Sequence, residues 1–117
     1  MNLPFRYRAT VLRVIDGDTY DLNVDLGFRV WMKIRVRLHK YDTAELNSTD
    51  LVLRQKAVDA RIRVQELIEG KMVVIDSVKV AAYSRWEAKI SFLNDEGVWA
   101  DLGATLLSEG LAEEWKG

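Results

Sequence analysis

The sequence predicts an α+β fold: a five-stranded β-barrel with one long helix between strands 3 and 4 and a short helix after strand 5. Two kinds of pattern support this prediction. Several short segments alternate apolar and polar residues with the period of a half-buried strand, and one long segment repeats apolar residues at helical spacing. No linker or repeat divides the chain, so residues 1–117 are expected to form one domain.

The first three predicted strands cover residues 8–15, 19–26 and 29–39. Asp16-Gly17 separates the first two strands, and Asp-Gly is a strong hairpin signal because it tolerates the positive φ that such turns need. The third strand has two distinct faces. Val30, Met32, Ile34, Val36 and Leu38 form an apolar face, and Arg29, Trp31, Lys33, Arg35 and Arg37 form the other.

The long helix is predicted to follow Ser48, Thr49 and Asp50, which are favoured N-cap residues. It is predicted to end before Gly70, a residue typical of the position after a helix. The apolar residues Leu53, Ala57, Ala60, Val64, Leu67 and Ile68 recur between them at helical spacing. This helix would therefore pack one face on the sheet.

Two further strands are expected over residues 71–76 and 88–92, with a loop over residues 78–87 between them and a short helix over residues 101–109. Three antiparallel strands, a helix and two more strands are the element order of an OB-fold barrel. Closing the barrel would bring the turn after the first strand near the end of the third. The acidic clusters at residues 16–18 and 42–45 would then lie together.

Composition limits the function only modestly. Seventeen basic and eighteen acidic residues give a net charge of −1, which argues against a strongly basic nucleic-acid coat. The chain has no cysteine and only His39 as histidine, which excludes thiolate metal sites and argues against histidine-based ones. No apolar run reaches membrane-spanning length, so we expect no membrane partner. The start lacks a signal-peptide core, which predicts a cytoplasmic protein unless a leader was removed before secretion.

Four short motifs resemble those of the staphylococcal nuclease (thermonuclease) family, the calcium-dependent OB-fold nucleases. They are Ile15-Asp16-Gly17-Asp18-Thr19, then Arg37 separated by four residues from Asp42-Thr43-Ala44-Glu45, then Tyr83-Ser84-Arg85, and finally Gly110-Leu111-Ala112. Each motif is weak alone, but their order and spacing cover nearly the whole chain. The resemblance implies an OB-fold nuclease that hydrolyses phosphodiester bonds of DNA, with RNA as a second candidate substrate, and we expect a monomer.

The resemblance also implies a role for each site residue. Asp18 and Asp42 would be carboxylate ligands of a Ca²⁺ ion, with Mg²⁺ as the alternative, and Thr43 would offer its main-chain carbonyl. Glu45 would position or deprotonate the attacking water. Two arginines, Arg37 and Arg85, would hold the scissile phosphate. Asp16 would support the metal site without binding the ion itself, and Tyr83 would line the nucleotide pocket.

The chemistry of these groups is consistent with that implication. If they converge, Asp16, Asp18, Asp42 and Glu45 bring four negative charges and the two arginines return two positive ones. One divalent cation would balance the surplus, and oxygen ligands favour Ca²⁺ or Mg²⁺ over Zn²⁺. A cation and arginines around a phosphate are suited to phosphoryl transfer, which depends mainly on positioning and electrostatic stabilisation.

Each assignment has a simpler alternative. Asp16 can be a turn residue, Arg37 a solvated residue of the basic strand face, and Glu45 a helix N-terminal charge. Trp31 and Trp86 can stack on bases, although tryptophans more often serve cores and surfaces. The competing function is a catalytically silent OB-fold module that binds nucleic acid or a protein partner, and a purely structural domain is a third possibility.

Overall fold

The computed structural model describes residues 5–78 and 86–115 and contains a closed five-stranded barrel with two helices, as predicted. In chain order its elements are β1 (Phe5–Asp16), β2 (Thr19–Asp25), β3 (Trp31–Leu38), β4 (Tyr41–Thr43), α1 (Leu51–Ile68), β5 (Met72–Val78), β6 (Trp86–Leu93), β7 (Trp99–Asp101), α2 (Leu102–Ser108) and β8 (Ala112–Glu114). No helix among these is long and apolar enough to cross a membrane.

The barrel closes because β3 pairs with strands on both of its sides. The sheet order is β3-β2-β1-β5-β6, with antiparallel neighbours throughout. A parallel pairing of β3 with β6, from Val36↔Trp86 to Leu38↔Ala88, joins the two ends of this sheet. β7 pairs with the C-terminal end of β6, and β4 pairs with β8 in a separate two-stranded sheet. Closure leaves the barrel strands few exposed edges.

The core fills the barrel with alternating side chains from each strand. Tyr20, Leu22 and Val24 of β2 are buried, which is the period-2 pattern expected of a strand with one inward face. The long helix α1 buries Ala57, Ala60, Val64 and Ile68. The Asp50 carboxylate caps this helix by accepting from the backbone N–H groups of Val52 and Leu53, as its position predicted.

The first hairpin lies where the sequence predicted it, but the predicted reason for its glycine is wrong. Asp16 pairs with Thr19, so the turn residues are Gly17 and Asp18 rather than Asp16 and Gly17. Gly17 is not among the described residues with a positive φ. It is needed because of packing, since a Cβ there would lie 2.6 Å from Oγ1 of Thr43.

The predicted apolar face of the third strand is only partly buried. Val36 and Leu38 enter the core where β3 pairs with both β2 and β6, whereas Val30 and Met32 are exposed at the start of the strand, where the described pairing is with β2 alone. The three-residue strands β4, β7 and β8 were not predicted, since segments this short carry little periodicity. The predicted loop over residues 78–87 includes ends of β5 and β6.

Candidate active site

The turn between β1 and β2 is anchored to the ends of β3 and β4. The Asp18 carbonyl accepts from the Leu38 N–H at 2.8 Å, and Asp18 Oδ2 accepts from the Thr43 N–H at 3.2 Å. Beneath the turn, the buried Tyr20 hydroxyl donates to the Gly17 carbonyl. These bonds bring the Asp16–Asp18 turn and the Asp42–Glu45 segment together.

Arg37 lies between two carboxylates. Its Nη2 atom is 3.9 Å from Asp18 Oδ2 and forms an ion pair with Asp42 Oδ1. The Arg37 side chain is 24% exposed, whereas Arg35, on the same face of β3, is 61% exposed and binds Asp21 at 2.8 and 3.2 Å. Arg37 is therefore not one more solvated residue of the basic face.

One carboxylate oxygen of Asp42 is buried against Arg37. Its Oδ1 forms an ion pair with the Arg37 guanidinium, which neutralises the buried charge. Apart from this ion pair, no hydrogen-bond donor meets Oδ1 within residues 5–78 and 86–115.

Asp18 carries its negative charge in a poorly solvated position. Burial, followed by the hydrogen bond to Asp16 and the negative charge of Asp16, raises the pKa of Asp18 to about 6. The Thr43 N–H and the Arg37 guanidinium act in the opposite direction, because both favour the ionised form. Asp16 also has a turn role, since its Oδ1 accepts from the Asp18 N–H at 3.0 Å.

Glu45 follows β4 in a turn, and its side chain is exposed. It lies outside the first turn of α1, which begins at Leu51 and is capped by Asp50. The helix therefore does not account for Glu45 as a charge at its N-terminus. Among the described residues, no hydrogen bond or ion pair holds its carboxylate, which leaves it available to a ligand in the adjoining cleft.

These side chains line one cleft of about 770 Å³ at the end of the barrel. Six of the residues assigned from the sequence are in its wall: Asp16, Asp18, Arg37, Asp42, Thr43 and Glu45. The other two, Tyr83 and Arg85, lie outside the described residues. Among the described lining residues, four carboxylates face the guanidinium groups of Arg35 and Arg37, which leaves two excess negative charges on this part of the wall.

The lining also includes Arg35 and Trp86, to which sequence analysis gave no definite site role. Trp86 shares the even-numbered parity of the buried β6 residues Ala88, Ile90 and Phe92. This alternation is the feature of the sequence that could have indicated a place near the site. An aromatic residue two positions before a run of inward-facing residues lies at the rim of the barrel interior.

The donor set fits a hard divalent cation. In the described ranges, no three His, Asp or Glu side chains lie close enough to hold a metal by themselves. The metal ligands implied by the resemblance are the carboxylates of Asp18 and Asp42 and the main-chain carbonyl of Thr43. The carboxylates of Asp42 and Asp18, which share Arg37 as their ion-pair partner, are oxygen donors of the kind that Ca²⁺ and Mg²⁺ prefer.

Neither the models of known protein families nor the curated protein sequences match this chain. The resemblance to the thermonuclease family therefore rests on the short motifs themselves.

Proposed function

We propose that this protein is a nuclease that hydrolyses phosphodiester bonds of DNA, with RNA as the second substrate, and that it requires Ca²⁺ or Mg²⁺. One observation carries the proposal: Asp18, Asp42, Glu45 and Arg37 line the same cleft. An ion-binding pair of carboxylates, a free carboxylate and a partly buried arginine are together the groups that phosphodiester hydrolysis needs.

The carboxylates of Asp18 and Asp42, with the Thr43 carbonyl, hold the cation in this proposal. The bound cation supplies positive charge that stabilises the negative charge on the phosphate in the transition state. Arg37, which pairs with both carboxylates, would donate its N–H groups to a phosphate oxygen, for which its planar fork is suited.

Glu45 acts on water in this proposal. Its exposed carboxylate lines the cleft and has no competing partner in residues 5–78 and 86–115, so it can accept the proton of an attacking water. Arg85 and Tyr83 keep their expected roles as a second phosphate ligand and a nucleotide-pocket residue.

The excess negative charge on the described wall of the cleft gives the cation a role in binding as well. A polyanion approaching the four carboxylates and two guanidinium groups of this wall is repelled less once a divalent cation neutralises the two excess negative charges. A silent binding module would have no need of this arrangement, since burying the charge of Asp18 lowers stability without improving the attraction for nucleic acid.

Hydrolysis of end-labelled DNA and RNA oligonucleotides tests the proposal. We expect cleavage with Ca²⁺ or Mg²⁺, no cleavage with a chelator, and a loss of cleavage in Arg37→Lys. The matched control is Arg63→Lys, because Arg63 also binds carboxylates, Glu66 and Glu109, but lies on α1 away from the cleft. Equal activity of the parent and Arg37→Lys would contradict the role of Arg37, and a parent that cleaves nothing would contradict the proposed function.

A further inference from the structure

His39 and Glu87 form a hydrogen-bonded pair where the barrel closes. His39 Nδ1 lies 2.8 Å from Glu87 Oε1, and the two side chains are 28% and 16% exposed. Because an ionised carboxylate only accepts, the imidazole is the donor. The backbone N–H of His39 donates to the Ala88 carbonyl at 3.0 Å, which fixes the residue after β3 beside the start of β6. Neither His39 nor Glu87 lines the cleft, and the proposed hydrolysis gives neither of them a role.

This pair lies directly beside Arg37. In the parallel pairing of β3 with β6, Arg37 is opposite Glu87. Residues opposite each other project from the same face of a sheet, and adjacent strands are only about 4.8 Å apart. A glutamate at this position can therefore reach the Arg37 guanidinium, yet it binds His39 instead. Within residues 5–78 and 86–115, the ion-pair partners of Arg37 are Asp18 and Asp42.

The Glu87 carboxylate needs a partner because it is largely enclosed, and burying an unpaired charge is costly. Without the imidazole, Arg37 is the cation that the strand pairing places opposite it. Lys89 is the next residue on the same face of β6, but it is exposed and lies opposite Asp76 of β5. A Glu87 side chain released from its histidine is therefore expected to pair with Arg37.

We propose that His39 is a positioning residue that holds the Glu87 carboxylate away from Arg37, so that the guanidinium stays available to the substrate phosphate. This inference rests on the proposed function, because it assumes that Arg37 binds that phosphate. A further carboxylate on Arg37 would occupy N–H groups that the phosphate needs and would add negative charge beside the cleft. The hydrogen bond from His39 removes this competitor.

Three substitutions and a matched control separate positioning from a general structural role. His39→Phe keeps a planar ring and removes the donor, whereas His39→Asn keeps an amide N–H donor. Glu87→Gln removes the competing charge. The control is Arg6→Gln, which frees the carboxylate of Asp76. The pair of Arg6 and Asp76 also joins opposite residues of neighbouring strands at 2.8 Å, but it does not line the cleft.

The test is single-turnover cleavage of an end-labelled single-stranded DNA oligonucleotide with Ca²⁺ present. We expect His39→Phe to lower cleavage by about 5- to 30-fold, between the effects of an exposed ion pair and of a charge-assisted hydrogen bond. Adding Glu87→Gln to His39→Phe should restore cleavage to within a few-fold of the parent. His39→Asn and Arg6→Gln should stay close to the parent. Equal cleavage by His39→Phe and the parent, or no recovery in the double variant, would overturn the inference.

A crystal structure of His39→Phe gives a readout that does not depend on activity. We expect it to place the Glu87 carboxylate at hydrogen-bond distance from the Arg37 guanidinium. A parent that cleaves neither DNA nor RNA, with this new pair present in His39→Phe, would contradict the nuclease and retain the positioning of Glu87. A parent that cleaves DNA, with Glu87 still apart from Arg37 in His39→Phe, would retain the nuclease and overturn the inference.

Discussion

Replacing Asp18 by Asn is expected to stabilise the protein in the absence of metal. The pKa of Asp18 is raised from 3.8 to about 6, mainly because the carboxyl is buried and then because Asp16 is adjacent. Only 12% of the side chain is exposed, so solvent screens its charge weakly. Asn keeps an oxygen that can accept from the Thr43 N–H and removes the unfavourable charge.

The size and pH dependence follow from the two pKa values. A difference of about two pH units corresponds to ~3 kcal/mol of unfolding free energy, at about 1.4 kcal/mol per pH unit. Because the folded-state pKa is the higher one, the native state of the parent is relatively favoured at low pH. That contribution is lost as the pH rises from about 4 to above 6. The advantage of Asp18→Asn should be small at pH 4 and reach about 2–3 kcal/mol at pH 7.

Urea unfolding at several pH values in chelator measures this difference directly. Asp59→Asn is the control, because Asp59 is exposed on α1 and only accepts a hydrogen bond from Gln55. Its difference from the parent should stay small across the same pH range. An Asp18→Asn protein that is less stable than the parent at pH 7, or that differs from it equally at all pH values, would show that the buried charge of Asp18 does not lower stability.

Four further changes have defined expected outcomes. Glu45→Gln should lower cleavage by about 10²–10⁴-fold, as for loss of a general base, with an almost unchanged melting temperature because the side chain is exposed; retained activity with lost stability would contradict this role. Arg37→Lys should lower single-turnover cleavage by about 10²–10³-fold and substrate affinity much less, while Arg63→Lys should match the parent; an equal loss of affinity and turnover would indicate binding alone. Asp42→Ala should abolish calcium binding measured by calorimetry because it removes a carboxylate ligand, and unchanged binding would exclude Asp42 as a ligand. Gly17→Ala should destabilise the fold by about 1–3 kcal/mol in urea unfolding because its Cβ would meet Thr43, and adding Thr43→Ala should recover part of the loss; full stability of Gly17→Ala would show that the turn moves freely.

Local sequence patterns predict the strands and helices that are long enough to repeat one pattern of apolar and polar residues. The alternation in β2 and the capped pattern of α1 place these elements to within a few residues, because side-chain burial and helix capping follow directly from spacing. The element order then predicts a barrel and the meeting of two acidic segments. The three-residue strands β4, β7 and β8 depend on partners elsewhere in the chain and leave no comparable pattern.

The candidate site shows where a sequence pattern becomes ambiguous. Arg35 and Arg37 have the same parity on β3, yet one pairs with Asp21 on the outer face and the other lies between Asp18 and Asp42. The difference arises because Asp18, in the turn after β1, and Asp42, in β4, both lie next to Arg37, a tertiary arrangement that alternation cannot reveal. Gly17 is similar, since its requirement comes from Thr43, distant in sequence, rather than from its own backbone angles.

A calcium titration tests whether a cation bound by Asp42 supports cleavage. Cleavage of a single-stranded DNA oligonucleotide and the melting temperature are both followed as Ca²⁺ is added to the chelated parent and to Asp42→Ala. We expect both quantities to rise over the same Ca²⁺ range in the parent, because ligands that bind the native state stabilise it, and neither to rise in Asp42→Ala. A parent that binds the strand but cleaves nothing with Ca²⁺ or Mg²⁺, or that cleaves equally well in chelator, is not a cation-dependent nuclease.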